Sequence, residues 1–163
     1  MDGIGLSVRL LVLLVVANLA PLVVRRLLGA RWQAPLDGGL RFVDGRPLLG
    51  PAKTVRGLAA AIVATALCAP VVGIPIVLGA LMGAAAMAGD ALSSFVKRRL
   101  GVATSAEAIG LDQIPESLLP LLAVQGALSL SVAQIVGVTA VFVALGVPLR
   151  RILHRMRLRN RAR

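Results

Sequence analysis

The chain is short of most residues that build catalytic or recognition sites in water-soluble proteins. It has no tyrosine, one tryptophan and three phenylalanines among 163 residues. There is therefore no aromatic platform for bases, and no reading motif accompanies the basic charge, so nucleic acid is not an expected partner. A single cysteine, Cys68, excludes an intrachain disulfide framework. The single histidine, His154, lies in the basic tail, and no Ser–His or Cys–His couple can be assembled. Acidic residues number 7 against 18 basic ones, for a net charge of +11, and all the basic residues except Lys53 and Lys97 are arginine.

Apolar residues are what is present, at 58% of the chain against 15% charged. A water-soluble domain is not built this way. Apolar runs cover Ile4–Val24, Leu58–Val72, Ile74–Val96, Ile114–Leu130 and Val132–Leu149, and about 20 such residues in a helix cross the hydrocarbon layer. The expected fold is an all-α integral membrane protein, a bundle of about five transmembrane helices forming one membrane domain over residues 1–163. The first run lacks a basic leader and carries Pro21 after Ala20, so it reads as a retained helix.

Basic residues cluster between the first and second runs, after the third run and beyond Leu149, whereas the connections near residues 69–73 and 129–131 carry no charge. Basic loops stay inside. The pattern predicts the N-terminus outside and the C-terminus inside, in the cytoplasmic (inner) membrane, with Arg9 left over. Inner loops at about 25–57 and 97–113 are expected to form a site facing the cytoplasm. In the tail, 150–163, arginines alternate with Leu149, Ile152, Leu153 and Met156 at helical spacing, which predicts an amphipathic segment on anionic membrane lipid.

One carboxylate, Asp90, interrupts the third run. A charge at membrane depth costs roughly 2.5–3.5 kcal/mol on insertion scales and therefore usually has a partner and a task. Residues seven apart differ by only about 20° around a helix, so Gly83, Asp90 and Lys97 form a stripe flanked by Gly79 and Ser94. Gly79 and Gly83 permit close helix approach, and the stripe should face the bundle interior.

Two loops should meet this face. The first delivers Lys53, Thr54, Arg56 and Gly57 to the start of the second helix, where free N–H groups and cations suit phosphate. The second brings Asp112 and Glu116 beside Lys97. Their bland reading is helix capping, while carboxylate oxygens together with substrate phosphates suit Mg²⁺. With no histidine chemistry available, a reaction here must rely on metal, positioning and fixed charge, as phosphoryl-type transfer does.

The segments DGRPLLGPAKTVRG (Asp44–Gly57), GDALSSFVKRRLG (Gly89–Gly101) and GLDQIPESLLPLL (Gly110–Leu122) resemble those of the CDP-archaeol synthase family, small relatives of the CDP-diacylglycerol synthases. The resemblance implies a Mg²⁺-dependent nucleotidyltransferase in which a lipid phosphate attacks the α-phosphate of CTP, giving a CDP-lipid and pyrophosphate. It implies nucleotide or phosphate contacts at Lys53, Thr54, Arg56, Ser94, Lys97 and Arg98, and metal ligation at Asp90 and Asp112. The chain departs from the family pattern at Pro51-Ala52 and at Pro115, where a second aspartate is missing and Glu116 follows one position later. Alternatives are a non-enzymatic membrane assembly or transport protein, and an inactive relative.

Overall fold

The structure is a computed structural model that describes residues 3–102 and 111–161, with side chains as far as 146. Among the described residues are five helices: α1 (Gly3–Leu28), α2 (Val55–Val71), α3 (Ile76–Arg99), α4 (Gln113–Leu128) and α5 (Val132–Arg161). Each coincides with one of the five apolar runs. α1 outlasts its run by four residues because Arg25 and Arg26 are good helix formers whose charge complements the C-terminal dipole. It stops at Gly29, which adopts φ 53° and returns its N–H to the Arg25 carbonyl at 3.1 Å.

The two uncharged connections are tight. Between α2 and α3 the chain turns through Gly73, at φ 74°, and Pro75. Between α4 and α5, Ser129 takes the left-handed conformation (φ 50°), and Ser131 and Gln134 exchange hydrogen bonds as a capping box for α5.

α3 is the central helix, packed most extensively on α2 and α4, while α1 closes against α2 and α3 and α5 lies on α4 and α1. Its small residues face two ways. A Cβ on Gly79 would lie 2.7 Å from the Thr65 carbonyl, and one on Gly83 would lie 2.8 Å from that of Ala61, so this pair seats α2. Gly89 seats α4 instead, with the Pro115 carbonyl where its Cβ would stand. Pro115 itself is tolerated because it lies in the first turn of α4, where its missing N–H leaves no helical bond unmade.

The buried core joins Leu10, Leu13 and Leu14 of α1 to Met82, Leu121 and Val124, all fully enclosed. Outward positions are just as apolar, with Val63, Leu67, Val77, Leu81, Leu122 and Val136 all exposed. Apolar residues both inside and outside mark a bundle whose solvent is hydrocarbon. Among the described residues, α1 and α3 are long and apolar enough to cross a membrane; α2 and the apolar part of α5, Val132–Gly146, are shorter.

The bundle has two unlike ends. At one, Arg9 lies beside Gly73, and Gln134 donates to the Gly3 carbonyl at 3.4 Å. The other holds the 29–54 loop, the end of α3 and the start of α4, with every other described basic residue up to Arg99. The backbone of α5 continues as helix to Arg161. The expected headgroup contacts of the 150–163 tail lie outside the described side chains, and residues 103–110 of the second inner loop lie outside the described residues.

Candidate functional site

The 29–54 loop is organised by a residue that the apolar pattern hides. Asp37 is buried, and its carboxylate accepts from the backbone N–H groups of Leu49 (2.8 Å), Gly50 (3.1 Å) and Gly39 (3.0 Å). Burial alone would raise its pKa, but these three donors outweigh it and hold the carboxyl below its ordinary value. The returning segment pairs with the start of the loop, with Leu36 N–H on the Lys53 carbonyl (2.8 Å) and Val55 N–H on that of Ala34 (3.0 Å).

A reciprocal arginine clamp fastens this loop to α3. Arg46 reaches from the loop to two carbonyls at the helix end, that of Arg98 (3.2 Å), which also accepts from Gly101 N–H, and that of Arg99 (2.8 Å). Arg99 reaches back to Asp44 (2.8 Å) and the Pro47 carbonyl (2.7 Å). Its guanidinium also lies 4.6 Å from the Phe42 ring centre and 5.0 Å from that of Phe95, and the two rings meet edge to face.

Held in this way, the loop delivers Lys53 to Asp90, and the two form an ion pair across the wall of a cleft of about 530 Å³ between α1, α2 and α3. Arg25, Gln33, Thr54, Arg56 and Gly57 add polar lining, and Pro21, Leu22, Leu36, Leu58 and Met87 supply apolar lining. Lys53 and Asp90 retain 20% and 23% side-chain exposure, so a ligand can reach both. Thr54 caps α2, its hydroxyl accepting from Gly57 N–H at 3.3 Å, and Arg56 donates to the Arg31 carbonyl. The α2 N-terminus therefore differs from the expected row of free N–H groups, since those of Val55 and Gly57 are already bonded.

The other predicted residues gather elsewhere. Lys97 pairs with Asp112 at 2.6 Å, with only 11% and 6% side-chain exposure, and Ser94, Arg98, Gln113 and Glu116 are buried in the same α3–α4 region. Asp112 stands at the N-cap of α4, but its side chain makes no cap hydrogen bond. Among the described residues, Lys53, Thr54, Arg56, Gly57 and Asp90 line the cleft, while Ser94, Lys97, Arg98, Asp112 and Glu116 gather at the α3–α4 contact outside its lining. Among the described residues no three of His, Cys, Asp and Glu converge, and Asp90 and Asp112 are held by different lysines.

Sequence reasoning missed Arg25, Asp37 and Arg99 as site-building residues. Arg25 is one turn beyond Pro21 on the same face of α1, and Asp37-Gly38-Gly39 is a turn signature. Each of these signals is weak on its own.

Comparison with known proteins agrees with this architecture. A family model described as CarS-like CDP-archaeol synthase matches residues 70–161. The CDP-archaeol synthase of Sulfurisphaera tokodaii is 33% identical over 132 residues, covering 77% of this chain and 80% of that protein. This chain belongs to the CDP-archaeol synthase family. Family members from Hyperthermus butylicus and Methanopyrus kandleri are each 45% identical over 89 and 86 residues, 49% of this chain in both cases. The chain spans about half the length of these two, 51% and 50%. A solved structure described as an intramembrane enzyme for archaeal membrane lipid biosynthesis superposes with a TM-score of 0.76 at 30% identity, covering 88% of this chain and 92% of that one. Like that neighbour, this family member is an integral membrane protein.

Proposed function

We propose that the chain is a CTP:lipid-phosphate cytidylyltransferase that works at the cleft between α1, α2 and α3, on the cytoplasmic side. The observation that carries this reading is the accessible Lys53–Asp90 pair in a cleft with cationic and apolar walls, within a chain of the CDP-archaeol synthase family. The side assignment rests on the basic residues gathered at that end of the bundle.

Lys53 and Arg56 supply positive charge where a triphosphate would lie, and such fixed charge stabilises the transition state of phosphoryl-type transfer. A lipid phosphate is already an anion. It attacks the α-phosphorus of CTP without a general base; a new P–O bond forms, the α–β bridging bond breaks, and pyrophosphate leaves with the bonding electrons. This accords with a cleft whose described lining holds no histidine.

The donor set fits Mg²⁺ of the kind that takes one or two carboxylates plus substrate phosphates, rather than a cage of protein ligands. Asp90 is the residue in the cleft that would hold it, and Mg²⁺ bound there would neutralise charge on the phosphates. The buried pairing of Asp112 with Lys97 favours a supporting role for Asp112, Glu116, Ser94 and Arg98.

The test is incubation of the purified protein with labelled CTP, Mg²⁺ and a panel of glycerol-ether and glycerol-ester lipid phosphates. CDP-lipid and pyrophosphate should form together. A folded protein that makes no product with any of them overturns the reading. CTP-dependent thermal stabilisation, with and without Mg²⁺, separates the enzyme from a purely structural bundle, which would respond to neither.

A further inference from the structure

Among the described residues three cations line the cleft, and two are already engaged: Lys53 by Asp90 and Arg56 by the Arg31 carbonyl. The third, Arg25, has no side-chain hydrogen bond or ion pair among the described residues, and it lies exposed in the last turn of α1. It sits where the cleft meets the bundle's apolar exterior. Leu22, one turn earlier, both lines the cleft and is 42% exposed, and Pro21, Leu58 and Met87 continue the apolar wall inward.

This arrangement divides the cleft by ligand chemistry. A nucleotide has no apolar chain to place against Leu22 and comes from solution toward the paired Lys53 and Asp90. A lipid phosphate keeps its chains in hydrocarbon and must present its headgroup through the apolar side, at the level where α1 ends. An arginine matches a phosphate monoester with two parallel N–H donors, and an unengaged one has no competing bond to break. We infer that Arg25 is the specificity residue for the acceptor, binding the phosphate of the incoming lipid while its chains lie against the Leu22 side of α1. This inference rests on the cytidylyltransferase reading for its activity arm, but not for its binding arm.

The experiment compares Arg25→Gln, Arg25→Lys and the neighbouring Arg26→Gln, which lies outside the cleft lining. Arg25→Gln should raise KM for lipid phosphate about ten- to a hundredfold, the loss of a charge-assisted phosphate contact, with KM for CTP unchanged. Arg25→Lys should recover part of this, keeping charge without the two-pronged contact, and Arg26→Gln should match the wild type. In parallel, binding of a short-chain lipid phosphate and of CTP is measured directly by thermal shift in detergent. Arg25→Gln should weaken the lipid phosphate alone. If CTP binding weakens instead, or the two arginine variants behave alike, the assignment of Arg25 is overturned. If the wild type binds lipid phosphate through Arg25 but forms no CDP-lipid, the cytidylyltransferase reading fails and the assignment of Arg25 stands.

Discussion

α3 carries two lysine–aspartate pairs of the same chemistry in opposite surroundings. Lys53–Asp90 faces the cleft with about a fifth of each side chain exposed, whereas Lys97–Asp112 is enclosed between α3 and α4. An accessible pair can exchange its partners for a ligand, because water and incoming phosphate compensate each charge as it is released. An enclosed pair cannot, since either partner left alone is a buried charge worth several kcal/mol. The two carboxylates are therefore not equivalent here: Asp90 is open to the cleft, and Asp112 is enclosed where α3 meets α4.

The largest expected effect sets these carboxylates against each other. Asp90→Asn should reduce turnover at least about a hundredfold, the loss typical of removing one electrostatic contributor from a catalytic site, while costing less stability than loss of the enclosed carboxylate, because the cleft lets water reach the Lys53 left behind. Asp112→Ala should do the reverse, costing about 3–5 kcal/mol of stability by stranding Lys97. Denaturation in detergent and single-turnover rates would be measured on both. Equal stability losses would erase the distinction between the sites.

A somewhat smaller effect is expected from the surface on which α3 meets α4. Gly89→Ala places a methyl group against the Pro115 carbonyl and must push α4 outward. A cost of about 1–3 kcal/mol follows from overpacking. Because Gly89 precedes Asp90 but faces the buried side, its substitution should lower stability more than CTP-induced stabilisation. If CTP response vanishes with stability unchanged, the two faces of α3 are not separate.

The clamp offers a finer test of how the cleft is assembled. Arg99→Ala removes the Asp44 ion pair, the Pro47 hydrogen bond and the stacking on Phe42 and Phe95. About 1–2 kcal/mol should be lost, combining a surface ion pair with a cation–π contact, and proteolysis within the 36–50 loop should quicken. Arg99→Lys should restore little, lacking the planar fork. A loop that stays protected in both variants would show that Asp37 alone suffices to hold it.

The sequence revealed the helices well because an apolar run of helical length leaves few other choices in a membrane. It also showed that Gly79, Gly83 and Asp90 turn inward. Which neighbour each residue meets was not legible. Asp90 and Lys97 lie within about 20° of each other around α3, yet the cleft opens beside one and α4 covers the other. Periodicity fixes an angle on the helix, and long side chains and neighbouring helices decide the rest. Arg99 likewise reads as one more inside-facing charge until Phe42, Asp44 and Pro47, more than fifty residues earlier, are folded against it.

The smallest effect concerns the loop on the cleft side and has a definite sign with pH. Asp37 is held below its ordinary value of 3.8 by the N–H groups of Leu49, Gly50 and Gly39, despite its burial. A carboxyl whose folded pKa is depressed contributes stability that is fully present above the unfolded pKa and is lost as pH falls through the folded pKa. Between pH 7 and about 5 the loop should therefore keep its full protection. As pH falls below 3.8 toward the depressed folded value, it should loosen as the carboxyl takes up a proton and can no longer accept from all three donors. Asp37→Asn should remove this dependence, because the amide cannot accept at both oxygen positions at any pH, leaving the loop equally loose at pH 7 and pH 4. Hydrogen exchange at Leu49 and Gly50 across this range reads the effect directly. Protection at pH 7 that Asp37→Asn leaves unchanged would mean that the Arg46–Arg99 clamp, not Asp37, orders the segment that presents Lys53.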